Sequence, residues 1–242
     1  MIRRQLCRIV YRSLAFKPQP FVQIPFYNFA TGHGKKILDV WDLPKAQYTE
    51  LSDAIYECHT SRMVAELLKE NIHQMTDYQL SYAIYHMYEY DIILDDNFYN
   101  IVLPIVKEFV KNMDRESNKA LAELVYHLGW MKVEDEGLWR LFEQKLVGER
   151  LYRYIPLKEL CKMINALGTV NQGSDELFNI FEKVLIKHRL NLLPEDIDYA
   201  RQGFENRKVG SQVLFGVFED PLQALPEGYG EPEKLRQIGS KH

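Results

Sequence analysis

Two related stretches decide the fold of this chain: LAELVYHLG at residues 121–129 and LCKMINALG at residues 160–168, which begin 39 residues apart. A third stretch, LSYAIYHM at residues 80–87, begins 41 residues before the first and shares its Tyr-His pair. A fourth, less similar copy begins at Ile197, 37 residues after Leu160. Periods of this size are typical of helical repeat proteins, in which each repeat stacks on the next.

The repeated unit contains a second helix. Residues 138–143 read LWRLFE, and residues 177–182 read LFNIFE at the same offset of 39. A single pair of helices cannot bury both of its faces, so neighbouring pairs must share a core. We therefore predict an all-α fold over residues 43–220, a right-handed-type superhelix (α-solenoid) of about four helix-pair repeats. Tetratricopeptide and ankyrin units are too short for this period, whereas HEAT-like units remain compatible with it.

Helix starts and stops recur at intervals that suit this interpretation. Oxygen-bearing side chains and proline mark helix N-termini, and glycine often ends a helix in the left-handed conformation. The predicted starts are Thr60 for a helix reaching Lys69, Thr76 with Gln79 as a capping box, Ser174 and Pro194. The predicted ends are Gly129 and Gly168, each directly after a leucine.

Charge is divided unevenly along the 242 residues. The net charge is −4, but residues 1–36 contain seven Lys or Arg and no Asp or Glu. The rest therefore holds 23 basic and 34 acidic residues, a net charge of about −11. A body of that sign is poorly suited to gripping a polyphosphate. The longest apolar runs are only a few residues, so the sequence predicts no transmembrane segment.

The basic leader resembles an import signal. Wound as a helix, it places Arg4, Arg8 and Arg12 on one face and apolar residues on the other. An Arg-rich, acid-free amphipathic segment is typical of a mitochondrial transit peptide, so we predict a leader at residues 1–29, with cleavage near Phe29, and a linker at 30–42. The same pattern also fits a retained helix that contacts anionic lipid. Residues 32–36, GHGKK, lack the spacing of a phosphate-binding loop.

No arrangement of residues in the sequence predicts catalysis. Three cysteines are too few for a disulfide framework or a four-ligand zinc site. Cys58 and His59 are adjacent, but neighbouring side chains on a helix point about 100° apart and chelate one metal poorly. Metalloprotease, thiol-redox and nucleophile-elbow motifs do not occur. We therefore predict a protein that is not an enzyme, with no catalytic residue, cofactor or metal.

The repeated Tyr-His pairs are the candidate contact residues. Leu80, Ala83, Ile84 and Met87 form an apolar stripe, and the next repeat has an equivalent one. Four residues fall outside these stripes at equivalent positions: Tyr85, His86, Tyr126 and His127. Exposed tyrosines favour a partner-binding surface. The alternative is that the rings wedge between successive repeats, because the flanks of stacked helices are buried.

The leucine spacing and Leu-Gly ends over about residues 60–207 resemble the heptatricopeptide and octatricopeptide helix pairs of organellar, FAST-kinase-like proteins. The resemblance implies a helical superhelix and, in that family, frequent transcript binding. The RAP-type domain that often accompanies those repeats is not evident in residues 210–242.

We expect a noncatalytic scaffold or accessory subunit that bridges proteins in a mitochondrial assembly, such as a respiratory complex, ATP synthase or the mitochondrial ribosome. An extended tail at residues 221–242, rich in Pro and Gly, offers a further contact segment. The alternative is a mitochondrial RNA-binding repeat protein that acts in transcript processing or translation. The residues for such binding would be Lys183, Lys187, His188, Arg189, Arg201, Arg207 and Lys208.

Overall fold

Ten α-helices make up most of the part of the chain that the computed structural model describes, residues 50–222 and 224–225. They are α1 (Glu50–Tyr56), α2 (Ser61–Asn71), α3 (Asp77–Glu89), α4 (Leu103–Asn112), α5 (Asn118–Trp130), α6 (Glu136–Glu143), α7 (Leu157–Thr169), α8 (Asp175–Lys187), α9 (Pro194–Arg207) and α10 (Gln212–Glu219). These residues contain no strand, which confirms the all-α prediction for them. Their helices are too short or too polar to cross a bilayer. The predicted leader, linker and most of the tail lie outside the described residues.

The odd-numbered helices form a row in which each helix packs on the next: α1 on α3, α3 on α5, α5 on α7, and α7 on α9. Asn165 Nδ2 on α7 donates hydrogen bonds to the Tyr199 carbonyl (3.2 Å) and Gln202 Oε1 (2.8 Å) on α9. Gly168, one turn later on α7, faces Gly203, further along α9. Contacts that advance together along both helices show that α7 and α9 run parallel.

The even-numbered helices contact one another separately. A π-helical turn, Phe98–Val102, leads into α4 and contacts α2, while α4 contacts α6 and α8 contacts α10. A second π-helical turn, Gln144–Gly148, extends α6. The chain therefore alternates between one row and the other as it passes from helix to helix.

The predicted helix starts are confirmed by their capping contacts. Thr60 Oγ1 accepts from the Met63 amide (3.2 Å), and Thr76 forms the capping box with Gln79. Ser174 caps α8, and Pro194 is the first residue of α9. These signals are local, since each side chain satisfies a backbone group only two or three residues away.

The predicted apolar stripes form the core. All eight of their residues are buried: Leu80, Ala83, Ile84, Met87, Leu121, Leu124, Val125 and Leu128. At the other end of the row, Phe204 on α9 contacts Phe178 on α8 edge to face at 5.3 Å and Phe218 on α10 at 6.3 Å. Burial of these side chains from both rows supplies the main driving force for the fold.

Four of the odd-numbered helices end in the same turn. The residues after these helices with positive φ are Asp91, Lys132, Asn171 and Lys208, with φ between 50° and 60°. In each case the backbone amide of the following residue donates a hydrogen bond to the carbonyl five residues earlier in the chain. Examples are the bonds from Val133 to Leu128 (3.1 Å) and from Val209 to Phe204 (3.1 Å). This is the Schellman motif. The left-handed residues are 41, 39 and 37 residues apart, the same spacings that separate the sequence stretches.

The prediction that Gly129 and Gly168 end helices in the left-handed conformation is wrong. Both lie inside helices, and Lys132 and Asn171 occupy the left-handed positions instead. Glycine is needed because a neighbouring helix comes very close. A Cβ at Gly129 would lie 2.8 Å from the Ala166 Cβ, and one at Gly168 would lie 2.1 Å from the Gly203 carbonyl oxygen.

Candidate functional site

Four half-buried tyrosines lie along the odd-numbered row and form what we call the tyrosine face: Tyr85 and Tyr88 on α3, Tyr126 on α5, and Tyr199 on α9. The ring of His127 holds three of them together. Its centroid lies 5.3 Å from those of Tyr85 and Tyr88 and 5.0 Å from that of Tyr126. The helix stack thus gathers rings that are 41 residues apart in sequence into one aromatic group.

The tyrosine face also closes over α7. The rings of Tyr126 and Tyr199 meet edge to face at 6.4 Å, although α7 lies between their helices in the row. Beneath them, Lys162 and Asn165 of α7 are buried. Burial raises the pKa of the Tyr126 phenol, and the neighbouring Tyr199 and Tyr88 raise it further. The Tyr126 phenol therefore stays neutral and able to donate a hydrogen bond.

The structure separates the members of the predicted Tyr-His pairs. His86 and His127 are each 1% exposed, whereas Tyr85 and Tyr126 keep part of their surface in solvent. His86 Nε2 donates a hydrogen bond to the Cys58 carbonyl at 2.6 Å. Burial lowers the pKa of both imidazoles. The histidines thus lie between helices, whereas the tyrosines keep part of their surface in solvent.

A buried ionic cluster lies beside the tyrosine face. The Glu123 carboxylate is 3.6 Å from His127 Nδ1 and 4.0 Å from the Lys162 ammonium. Glu123 is 3% exposed and Lys162 is 6% exposed, and the Lys162 Nζ also lies 5.7 Å from the centre of the Tyr126 ring. The pair of Glu123 and Lys162 joins α5 to α7 at the middle of the row.

Burial raises the pKa of Glu123 to about 7. The cations Lys162, Lys119 and Lys158 lower it, and the Glu159 carboxylate raises it. Among the described residues, no hydrogen-bond donor meets either carboxylate oxygen of Glu123. A buried pair held by charge alone stabilises a fold weakly, but removing one partner is strongly destabilising. The cluster is therefore suited to fixing how α5 and α7 pair, and its burial keeps it from contact with a substrate.

Sequence reasoning missed this cluster, although a signal was present. Glu123 and Lys162 occupy the same position in the two stretches LAELVYHLG and LCKMINALG. Opposite charges at one position of successive repeats are placed next to each other when parallel helices stack. Counting 37 residues onward from Lys162 reaches Tyr199, whose ring meets that of Tyr126.

The other polar residues that could belong to a catalytic or metal site are buried, exposed on their own, or engaged in structural contacts. Cys58 and Cys161 are buried, and burial raises the pKa of both thiols. His59, next to Cys58, is exposed. Asp135 caps α6 through the Leu138 amide (2.7 Å) and pairs with Lys107 (2.8 Å). Within the described part of the chain, no three His, Cys, Asp or Glu side chains gather as metal ligands.

The basic strip expected for RNA does not form one surface. Lys183 and Lys187 are exposed on α8, an even-numbered helix. Arg201 on α9 lies over the Phe218 ring at 5.9 Å, and Arg207 bonds the Asn171 side chain, the Gly173 carbonyl and Asp175. The two arginines thus hold α9 to neighbouring elements.

No protein-family model matches the sequence, and no curated protein is significantly similar to it.

Proposed function

We propose that this chain is a noncatalytic α-solenoid of about four helix-pair repeats that serves as a scaffold or accessory subunit in a mitochondrial multiprotein assembly. Two features support the repeat arrangement. Four Schellman turns share the 41-, 39- and 37-residue spacing of the sequence stretches. The odd-numbered helices also pack in an unbroken row, which is how stacked repeats share one core.

The observation that carries the proposed binding role is the tyrosine face. These tyrosines are partly exposed and held rigid by the rings and helices around them, and tyrosine is one of the residue types that are enriched at the binding hot spots of protein interfaces. Tyr88 and Tyr199 lie on helices three positions apart in the row, so a partner segment crossing the face would contact several repeats. Rigid aromatic anchors bind with little loss of conformational entropy.

The mitochondrial location is proposed from the leader, whose seven cations and absence of acids fit an import signal. If the leader is retained, its arginine face would add a contact with anionic lipid. The respiratory chain, ATP synthase and the mitochondrial ribosome are the candidate assemblies.

The alternative is a mitochondrial RNA-binding repeat protein. The partly exposed rings of the tyrosine face favour it, because aromatic faces stack on unpaired bases. The division of the basic strip between α8 and internal contacts of α9 speaks against it, since RNA binding also needs a continuous cationic groove.

We predict that Tyr88→Ala releases the chain from its assembly. Loss of an interface anchor weakens binding by about 2 kcal/mol or more, which is roughly 30-fold or more in affinity. The measurement is native gel electrophoresis of mitochondria that carry the tagged full-length chain. The wild type should migrate with a large assembly, and the variant should move to a fraction with the size of the free chain.

Tyr99→Ala is the matched control, because Tyr99 is 38% exposed on the π-helical turn before α4, in the even-numbered row. This variant should migrate like the wild type. A wild-type chain that is monomeric, or that lies outside mitochondria, would contradict the proposal. Loss of the large species after nuclease treatment would favour the RNA alternative.

A further inference from the structure

The turns before α7 and α9 lie at one edge of the helix row. They span residues 149–156 and 188–193. Because α7 and α9 run parallel and touch at Gly168 and Gly203, their N-terminal ends lie side by side. The two turns that enter them therefore share a surface, although about 40 residues separate them in sequence.

This edge has the opposite charge from the rest of the body. The two turns with the adjoining helix residues, 149–158 and 187–193, contain five Lys or Arg and one acidic residue, Glu149, which pairs with Lys145 at 2.8 Å. Of the acids that come next in the first turns of α7 and α9, Glu159 and Asp196 are buried and Glu195 is exposed. We call this surface the basic edge, and its cations are Arg150, Arg153, Lys158, Lys187 and Arg189. The turns that follow the odd-numbered helices lie at the opposite edge of the row, where the C-terminal ends of these helices are. One of these turns, at residues 89–96, carries four acids and no base.

Large apolar side chains project from the same turns. Leu190 is 64% exposed, Leu193 is 60% exposed and Tyr154 is 50% exposed. Two leucines and a tyrosine held in solvent beside several cations are unusual for a surface that contacts only water. Apolar side chains that enter the headgroup region, flanked by Lys and Arg, are the features by which proteins bind the surface of an anionic membrane.

We propose that the basic edge docks on the surface of an anionic lipid bilayer, with Leu190 and Leu193 inserted among the headgroups and the cations around them. The leucines favour lipid over RNA, because an aliphatic side chain offers no face for base stacking. Tyr152, the half-buried aromatic of this edge, already has the Arg153 guanidinium over its ring at 5.8 Å. The inference is independent of the protein-binding role proposed for the tyrosine face, because the two surfaces share no residue.

The test uses the full-length chain and vesicles of phosphatidylcholine with or without phosphatidylglycerol. An environment-sensitive fluorophore is attached at Leu190→Cys in a Cys7→Ser chain, where the remaining thiols, Cys58 and Cys161, are buried. We expect a blue shift of the emission with phosphatidylglycerol vesicles and none with phosphatidylcholine alone. The site-specific label separates this contact from any binding by the basic leader.

The control label is Ile93→Cys, because Ile93 is 74% exposed in the acidic turn that follows α3. Its emission should not change. Floatation with the same vesicles provides a second measurement. The double variant Arg153→Gln, Lys187→Gln should lower the partition coefficient roughly 30-fold. Each cation near the membrane contributes about 1 kcal/mol, and about 1.4 kcal/mol corresponds to a tenfold change.

Three results would overturn the proposal. One is an unchanged emission from position 190 with both vesicle types, and another is an equal shift at positions 190 and 93. The third is a response at position 190 to single-stranded RNA that exceeds the response to phosphatidylglycerol vesicles, which would make the basic edge a nucleic-acid surface.

Discussion

Gly168→Ala should lower the free energy of unfolding by about 3 kcal/mol. A Cβ at this position would lie 2.1 Å from the carbonyl oxygen of Gly203, and backbone atoms of a packed helix cannot rotate away. Overpacking of a core typically costs about 1–3 kcal/mol, and a clash with backbone belongs at the upper end. Denaturant unfolding followed by far-ultraviolet circular dichroism measures the change.

The sign of this effect is informative because helix propensity acts in the other direction. Alanine inside a helix is favoured over glycine by about 1 kcal/mol, so a Gly168→Ala chain with loose packing would become more stable. Gly129→Ala should have a smaller destabilising effect, since its Cβ would meet the Ala166 Cβ at 2.8 Å, a less severe overlap. Gly148→Ala is the control, with its nearest neighbour at 3.8 Å. A stabilised Gly168→Ala chain would show that α7 and α9 do not approach as described.

Glu123→Gln should change how stability depends on pH. Burial raises the pKa of Glu123 to about 7, above its ordinary value of 4.5, so the folded state binds the proton more tightly than the unfolded state. The stability that this carboxyl contributes is therefore present below about pH 4.5 and is lost as the pH rises through about 7. Between pH 5 and pH 8 the loss amounts to roughly 2–3 kcal/mol.

The difference in unfolding free energy between wild type and Glu123→Gln isolates this group. The buried imidazoles act in the opposite direction, because their lowered pKa values make the folded state less stable as the pH falls below about 6.5, but they are present in both chains. We expect the wild type to lose roughly 2–3 kcal/mol relative to the variant from pH 5 to pH 8. Glu66→Gln, at an exposed position, is the control. A difference that stays constant with pH would mean that Glu123 is solvated and the cluster is not closed.

The sequence predicted those parts of the fold that depend on local contacts. The caps at Thr60, Thr76 and Ser174 act over two or three residues, so the side chain and the backbone group it satisfies are both visible in a short window. The apolar stripes could also be predicted from the sequence, because helical periodicity alone determines which residues share a face.

Non-local contacts explain what the sequence did not predict. A leucine followed by glycine is consistent with a helix end, but the same pair also permits a close approach between helices. Only the partner helix distinguishes the two, since Gly168 is required by the position of Gly203, 35 residues away. The burial of His127 and Glu123 has the same origin, because rings from α3 and α5 surround His127, and Lys162 of α7 faces Glu123.

The most direct test of the central claim is site-specific photo-crosslinking in mitochondria that express the full-length chain. A photoreactive amino acid replaces Tyr88 on the tyrosine face in one chain and Tyr99 on the even-numbered row in another. The account predicts that position 88 cross-links to one protein subunit of a defined assembly and that position 99 does not. Cross-links from position 88 to RNA, the same products from both positions, or no product from position 88 would contradict it.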